Sequence, residues 1–289
     1  MKTRFNLTLS RLGLLSVLCI GPAAARAEML YGLTFFDNQL ISVDTSTGAG
    51  TLIGSLSETV SGYGLASLGG TLYTFDPNLD ALRSVNQLTG SVGTAMNIGV
   101  GDLTGEGDLT FRADGTGFLS SALAPDFSPS NELFMFNAQL GTSALVGNTA
   151  VPIDGMVFVG NTLYAIGQEG EAKLYTVDQT NAAMTEVGSL GISKNSPFGA
   201  LTLGADGKLY AAIDDRLYSI NPATGLASIL NESVLDIGYA SVSGLAPASF
   251  QPIPEPSTYA IGGAALLVVA GIVRRVRQSR AAAEPATAA

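Results

Sequence analysis

Residues 206–225 read DGKLYAAIDDRLYSINPATG, and this stretch contains three signals that recur along the chain. They are an apolar-aromatic pair at Leu209-Tyr210, an alternating run at 217–220 and a polar turn at 221–225. The pair recurs with its aromatic positions spaced by 42, 45, 46 and 46 residues, as Leu30-Tyr31, Leu72-Tyr73, Gly117-Phe118 and Leu163-Tyr164. The turn recurs with a leading Asp or Asn at Asp44, Asn86, Asn137 and Asp178. Five degenerate copies of one unit indicate a repeat protein.

Each copy is predicted to form four short strands. Asp-Gly pairs at Asp206-Gly207 and Asp114-Gly115 are typical of hairpin turns, here between the first and second strands. The polar turn precedes the fourth strand, since Asn or Asp bonds its own backbone and Gly closes the turn with a positive φ. One longer interval between copies is explained by an insertion at 125–131.

Four strands per unit predict an all-β, five-bladed β-propeller over residues 28–250. The first copy begins at its second strand, and the chain supplies an unmatched first strand at 242–246. That last strand is expected to complete the first blade and close the ring. A β-sandwich or an open solenoid is the alternative.

Composition excludes several kinds of chemistry. The chain has no histidine, which removes Ser-His-Asp and Cys-His catalysis and imidazole-based zinc sites. Its single cysteine, Cys19, lies in the N-terminal segment, so no disulfide is expected in the body. Between residues 28 and 253, six Lys/Arg oppose 22 Asp/Glu, a net charge near −16. Such a body repels nucleic acid.

Propeller ligands are expected in the central channel, beside the first strand of each blade. The residues at those positions are Tyr63, Glu106, Asp108, Asp154, Phe198 and Ser243. Four carboxylates from two adjacent blades are candidate ligands for Ca²⁺: Asp102, Glu106, Asp108 and Asp154. The competing interpretation is that they cap turns and form a solvated acidic rim, with no cofactor bound.

The main functional prediction is a propeller without catalytic activity that serves as a binding or structural module, with no catalytic residue assigned. The alternative is a secreted hydrolase that uses carboxylates, either a glycosidase or a Ca²⁺-dependent lactonase-like enzyme. The absence of tryptophan, which would supply sugar platforms, weakens the glycosidase alternative.

The N-terminus, residues 1–27, has the organisation of a signal peptide. A basic start precedes a nine-residue apolar stretch at 12–20, and Ala25 and Ala27 give the small-x-small pattern that directs cleavage before Glu28. The alternative is an uncleaved anchor, but about nine apolar residues are too few to span a bilayer.

The C-terminus combines a turn motif, an apolar segment and a basic cluster. Residues 251–258 contain the motif Pro254, Glu255, Pro256, Ser257, Thr258. Fifteen uncharged residues at 259–273 are predicted to form a short transmembrane helix of about 22 Å, against a hydrocarbon core of about 30 Å. Arg274, Arg275 and Arg277 begin a basic tail, 274–289, which the positive-inside rule assigns to the cytoplasm. The body is then expected in the periplasm.

This C-terminal pattern resembles the PEP-CTERM sorting signal. The resemblance implies processing by an inner-membrane exosortase in a Gram-negative bacterium that makes exopolysaccharide or biofilm, and release to the cell surface or extracellular matrix. The expected partners are signal peptidase, exosortase, transiently the inner membrane, and exopolysaccharide. The body also loosely resembles YVTN- and NHL-type propellers; it lacks their diagnostic motifs, so that resemblance guides the fold only.

Overall fold

The five repeats each form one four-stranded antiparallel sheet. The structure is a computed structural model that describes residues 28–56, 63–101, 107–123, 129–167, 170–194, 199–230, 237–239 and 241–248. Within these ranges every regular element is a strand. Blade 1 consists of β20 (Val242–Pro247), β1 (Met29–Thr34), β2 (Gln39–Asp44) and β3 (Gly50–Ser55), ordered from the channel outward.

The other four blades each use four consecutive strands, again ordered from the channel outward. Blade 2 comprises β4 (Tyr63–Leu68), β5 (Thr71–Asp76), β6 (Ala81–Val85) and β7 (Met96–Asn97). Blade 3 comprises β8 (Leu109–Phe111), β9 (Gly117–Leu123), β10 (Pro129–Asn137) and β11 (Thr142–Asn148). Blade 4 comprises β12 (Ile153–Val159), β13 (Thr162–Gly167), β14 (Gly170–Val177) and β15 (Met184–Lys194). Blade 5 comprises β16 (Gly199–Leu203), β17 (Leu209–Ile213), β18 (Arg216–Ile220) and β19 (Ala227–Ile229).

The ring closes by pairing the two ends of the described chain. Strand β20 runs antiparallel to β1, with Gly32 opposite Leu245 and Tyr31 opposite Ala246. This confirms the predicted closure and excludes the open solenoid, because the first blade gains its inner strand from the C-terminal side. Closure also leaves no unpaired seam between the first and last blades.

The predicted polar turns form in all five blades. In blade 5 the Asn221 Oδ1 accepts a hydrogen bond from the Ala223 N–H at 2.9 Å, and the Gly225 N–H donates to the Asn221 carbonyl at 2.8 Å. Gly225 has a φ of 80°, as the turn requires. In blade 4 the closing position is Ala182, which adopts a φ of 60° without the help of glycine.

Among the described residues the hydrophobic core is divided into five clusters, each between two neighbouring blades. Between blades 2 and 3, for example, Phe75 and Leu82 pack with Leu119 and Phe136. Two of the repeated tyrosines, Tyr31 and Tyr210, are buried in such clusters. They are therefore packing residues, and adjacent blades stabilise one another by apolar burial.

The polar turn of one blade also contacts the outer strand of the preceding blade. A Cβ on Gly188, in blade 4, would overlap the Thr224 carbonyl of the blade 5 turn, and a Cβ on Gly54 would overlap the Thr89 carbonyl of blade 2. Glycine is found at these positions of the outer strands because the neighbouring turn occupies the place of a side chain.

Several predictions concern residues outside the described ranges. They include the signal peptide and its cleavage residues Ala25 and Ala27, the motif at 254–258, the apolar segment and the arginine cluster. In the part of the chain that the structure describes, no helix has the length and apolar character to cross a membrane.

Candidate functional site

The central channel is lined by the innermost strand of every blade. A cavity of about 200 Å³ lies between β4, β8, β12, β16 and β20. Its walls combine apolar side chains such as Phe111 and Phe158 with the hydroxyl-bearing residues Thr110 and Thr202. Inner strands present a free edge to the channel, because each pairs with a neighbour on its outer side only. Their backbone N–H groups therefore need acceptors in the channel.

Asp108, immediately before β8, supplies such an acceptor. Its side chain is buried, with 1% of the residue exposed. Its Oδ1 accepts the Leu109 N–H at 2.8 Å, and its Oδ2 accepts the Met156 N–H of blade 4 at 2.7 Å. The N–H groups of Leu65 in blade 2 and Leu201 in blade 5 also face this carboxylate and lower its pKa. One side chain thus bonds to the inner strands of blades 3 and 4 and interacts with N–H groups of blades 2 and 5.

Two opposing effects act on the charge of Asp108. Burial raises the pKa of its carboxyl well above the usual range, since a low-dielectric environment disfavours the anion. The N–H donors of Met156, Leu109, Leu65 and Leu201 lower the pKa and oppose that rise. The N–H donors favour the ionised carboxylate, because both of its oxygens can accept hydrogen bonds. A protonated carboxyl would also have an O–H group that needs an acceptor.

The structure describes only some of the other predicted channel residues. Asp154 and Ser243 are the extra residues of matching β-bulges in β12 and β20, and both are buried. The Ser243 hydroxyl donates to the Leu33 carbonyl at 3.4 Å. Asp102, Glu106 and Phe198 lie outside the described residues, and Tyr63 is described by its backbone alone.

Asp108 does not fit the predicted Ca²⁺ site. Both of its oxygens accept backbone N–H groups, whose positive ends attract an anion and repel a cation. Among the residues that the structure describes, no group of three His, Cys, Asp or Glu side chains could hold a metal ion. For Asp102 and Glu106, Ca²⁺ binding stays a prediction.

A larger groove of about 700 Å³ lies between blades 3 and 4. Arg112, Met135 and Leu145 line it from blade 3, and Asn161 and Gln179 line it from blade 4. Two of its apolar side chains are notably accessible, with Met135 38% and Leu145 51% exposed. The groove therefore offers both apolar surface and planar polar groups, the usual combination in a ligand pocket.

Hydrogen bonds fix the polar side of this groove. The Arg112 guanidinium pairs with Asp114 at 2.7 Å and donates to the Gln179 Oε1 at 3.2 Å. The Gln179 amide in turn donates to the Asn161 carbonyl at 2.7 Å. Because the Arg112–Gln179 bond crosses from blade 3 to blade 4, the polar side of the groove is preorganised by a contact that also joins the two blades.

Arg112 and the groove were not among the predicted site features. A signal was present, because residues 109–118 align with 201–210 and Arg112 stands where blade 5 has Gly204. The same alignment sets Asp108 against Ala200, at a position where blades 1, 2 and 4 carry Gly244, Gly64 and Gly155. What could not be read from this alignment is that one large side chain at that position reaches four blades.

No family model matches the chain, and no curated protein matches it. Among solved structures, a nidogen/laminin complex is 15% identical, with 71% of this chain and 78% of that chain covered and a TM-score of 0.48. A gluconolactonase from Xanthomonas campestris is 13% identical, with coverages of 76% and 79% and a TM-score of 0.48. A putative gluconolactonase is 14% identical, with coverages of 75% and 81% and a TM-score of 0.48. The fold of this chain is defined by its own strand pairing.

Proposed function

We propose that this protein is an exported, non-catalytic propeller that acts as a binding or structural module in the cell envelope or extracellular matrix. The observation that carries the proposal is the preorganised groove between blades 3 and 4. Its volume is within the range of about 300–1,000 Å³ that ligand sites occupy. The buried carboxylate of Asp108 supports the non-catalytic part, because its oxygens are used to hold the fold.

The ligand that suits the groove is a neutral, hydroxyl-rich polysaccharide. Arg112, Asn161 and Gln179 can exchange hydrogen bonds with hydroxyl groups, while Met135 and Leu145 offer apolar surface to sugar C–H faces. The Arg112 charge is balanced by Asp114, and the body is strongly acidic, so a polyanion is disfavoured. The resemblance of the C-terminus to a sorting signal of exopolysaccharide producers supports the same ligand class.

Binding can be tested with matched leucine substitutions in the full-length chain. Leu145 and Leu52 are both exposed, and each lies two residues before the outer-strand glycine of its blade, Gly147 or Gly54. Leu145→Arg fills the groove, and Leu52→Arg makes the same change on blade 1. On a panel of neutral and acidic polysaccharides we expect wild-type binding to a neutral glycan, at least tenfold weaker binding by Leu145→Arg and no change for Leu52→Arg. Equal effects of the two substitutions would remove the groove from the proposal.

The C-terminal pattern leads us to propose sorting by an exosortase after signal peptidase cleavage. The body would then face the periplasm on a short anchor before its release. Mass spectrometry of the native protein should show an N-terminus at Glu28 and loss of the segment 259–280. Retention of that segment in a cell that contains an exosortase would contradict the sorting proposal.

The alternative function is a carboxylate-based hydrolase of glycans or lactones. It requires turnover that depends on a channel carboxylate, and among the described residues Asp154 is the predicted channel carboxylate besides Asp108. Turnover by the wild-type protein, lost in a folded Asp154→Asn variant, would replace the binding proposal with the hydrolase. Calorimetric titration with Ca²⁺ would identify a metal-dependent form of this alternative.

A further inference from the structure

The five inner strands share one position at the axis of the channel. Blades 1, 2 and 4 have glycine there, blade 5 has alanine and blade 3 has aspartate: Gly244, Gly64, Gly155, Ala200 and Asp108. Each is followed by Leu or Met. The N–H groups of Leu109 and Met156 donate to Asp108, and those of Leu65 and Leu201 face the same carboxylate and lower its pKa. Four strands that are far apart in sequence therefore point donors at one carboxylate.

The glycines show how little room this arrangement leaves. A Cβ on Gly64 would lie 2.6 Å from the Leu109 nitrogen and 2.8 Å from the Asp108 Oδ1. A Cβ on Gly155 would lie 2.6 Å from the Leu201 nitrogen. Side chains at these positions would displace the acceptor from the donors. The ring therefore has space for one carboxylate.

We propose that these N–H groups form an anion-binding site at the centre of the propeller, which the Asp108 carboxylate occupies from within the chain. A channel without this side chain would bind a small carboxylate such as formate or acetate in its place. The donors belong to the channel-facing edges of the inner strands, so without an anion they would be buried and unsatisfied. Convergent backbone N–H groups bind anions through their partial positive charge.

This site differs from the predicted cation site in the sign of the charge that it binds. The side chain that was a candidate Ca²⁺ ligand acts here as the bound anion. The carboxylate joins blades 2, 3, 4 and 5, so it stabilises the arrangement of blades around the channel in a protein without disulfides. Blade packing should consequently depend on one residue at the axis.

The test is chemical rescue of the Asp108→Gly variant of the full-length chain, followed by thermal unfolding. This variant gives blade 3 the residue of blades 1, 2 and 4. We expect its Tm to fall by roughly 10 °C, because four buried donors lose their acceptor. Saturating formate should then raise the Tm by about 5 °C or more relative to formamide, a neutral molecule of similar shape. Wild type and Asp37→Asn, which removes an exposed carboxylate, should respond equally and weakly to both.

A second variant keeps the test decisive if Asp108→Gly does not accumulate as folded protein. Asp108→Asn retains the shape but replaces one acceptor oxygen with an N–H₂ donor, so its Tm should fall and formate should not restore it. For Asp108→Gly, refolding from urea should give a higher yield in formate than in formamide. An Asp108→Asn or Asp108→Gly protein as stable as wild type would overturn the proposal. Equal effects of formate and formamide on Asp108→Gly would also overturn it.

Discussion

The first hairpins of blades 3 and 5 share a sequence pattern around the same turn, but their side chains have different partners. Residues 108–119 read DLTFRADGTGFL, and residues 200–211 read ALTLGADGKLYA. Both turn at an Asp-Gly pair, with a φ of 87° at Gly115 and 81° at Gly207. The two hairpins therefore share a backbone and differ in how the space around it is filled.

One difference is an exchange of volume across two strands. In blade 5, Leu209 lies opposite Ile220, and in blade 3, Gly117 lies opposite Phe136. A Cβ on Gly117 would overlap the Phe136 ring. The Phe136 ring therefore fills the space that a side chain at position 117 would occupy. A second exchange involves Arg112 and Phe118 of blade 3, which correspond to Gly204 and Tyr210 of blade 5. A Cβ on Gly204 would lie 2.6 Å from the Tyr210 Cε2, whereas in blade 3 the corresponding space holds an arginine.

These exchanges show that the repeat has diverged in compensated pairs. Tyr210 donates its hydroxyl to Asp206 at 2.9 Å, and Arg112 pairs with the equivalent Asp114 at 2.7 Å. The turn carboxylate is thus satisfied in both blades by different chemistry. Substituting one member of a pair should be costly, and substituting both should be tolerated.

The largest effect is expected when Gly117 receives the leucine of blade 5. Gly117→Leu should lower the free energy of unfolding by about 3 kcal/mol, because the Phe136 ring already fills that space. The Gly117→Leu/Phe136→Ile double variant restores the blade 5 pair and should recover most of this loss. Urea unfolding followed by far-UV circular dichroism measures both. If the double variant is no more stable than Gly117→Leu, the compensation is wrong.

A smaller effect is expected at Gly204. Gly204→Ala should cost about 1–2 kcal/mol, because the added Cβ meets the buried Tyr210 ring. The matched control is Lys208→Thr, which introduces the residue of blade 3 at an exposed position and should change stability by less than about 0.5 kcal/mol. A Gly204→Ala loss no greater than the control would show that the Tyr210 ring moves freely.

Substitutions in the polar turns should have the same effect on stability in blade 3 and in blade 5. Asn137 Oδ1 accepts the Gln139 N–H at 3.0 Å, and Asn221 Oδ1 accepts the Ala223 N–H at 2.9 Å. Asn137→Ala and Asn221→Ala should each cost about 1 kcal/mol, the net value of one such hydrogen bond. Thermal unfolding of the two variants side by side checks this, and a clear difference between them would mean that blade 3 has also diverged in its turn.

The smallest effect concerns acid stability. Burial would raise the pKa of Asp206, but hydrogen bonds from Lys208 and Tyr210 outweigh it and lower the pKa to about 2. Arg112 and Thr116 likewise lower the pKa of Asp114. Both lie below the value of about 3.9 in an unfolded chain, so the folded state binds fewer protons. The contribution of each carboxylate is therefore present above about pH 4 and is lost as the pH falls through the folded pKa.

Asp206→Asn and Asp114→Asn should consequently flatten the decline of Tm between pH 4 and pH 2. At pH 7 each variant should be slightly less stable than wild type, and the difference should shrink with acidification. If the Tm of the wild type and of both variants falls equally with decreasing pH, these ion pairs make no pH-dependent contribution to stability. Because both pairs are largely exposed, added salt should also reduce the effect.

Much of the fold followed from local patterns. Asp206-Gly207 and 221–225 specify their turns through bonds between neighbouring residues, and these turns formed as predicted. The spacing of the aromatic pairs predicted five blades, and the unmatched strand at 242–246 predicted closure. The site was less predictable. Asp108 was identified as a channel residue, but as a metal ligand, because a carboxylate in sequence does not reveal what lies around it.

The sequence by itself determined the strands, their turns, the number of blades and the order in which they close, because these depend on residues near one another or on a regular period. The tertiary structure decided the roles of Asp108, Arg112 and Gly117. Asp108 receives donors from strands that begin near residues 63, 109, 153 and 199. Gly117 is explained by a ring from the next strand. Such contacts exist only after the blades pack, since hydrogen bonding and volume filling depend on distance in space.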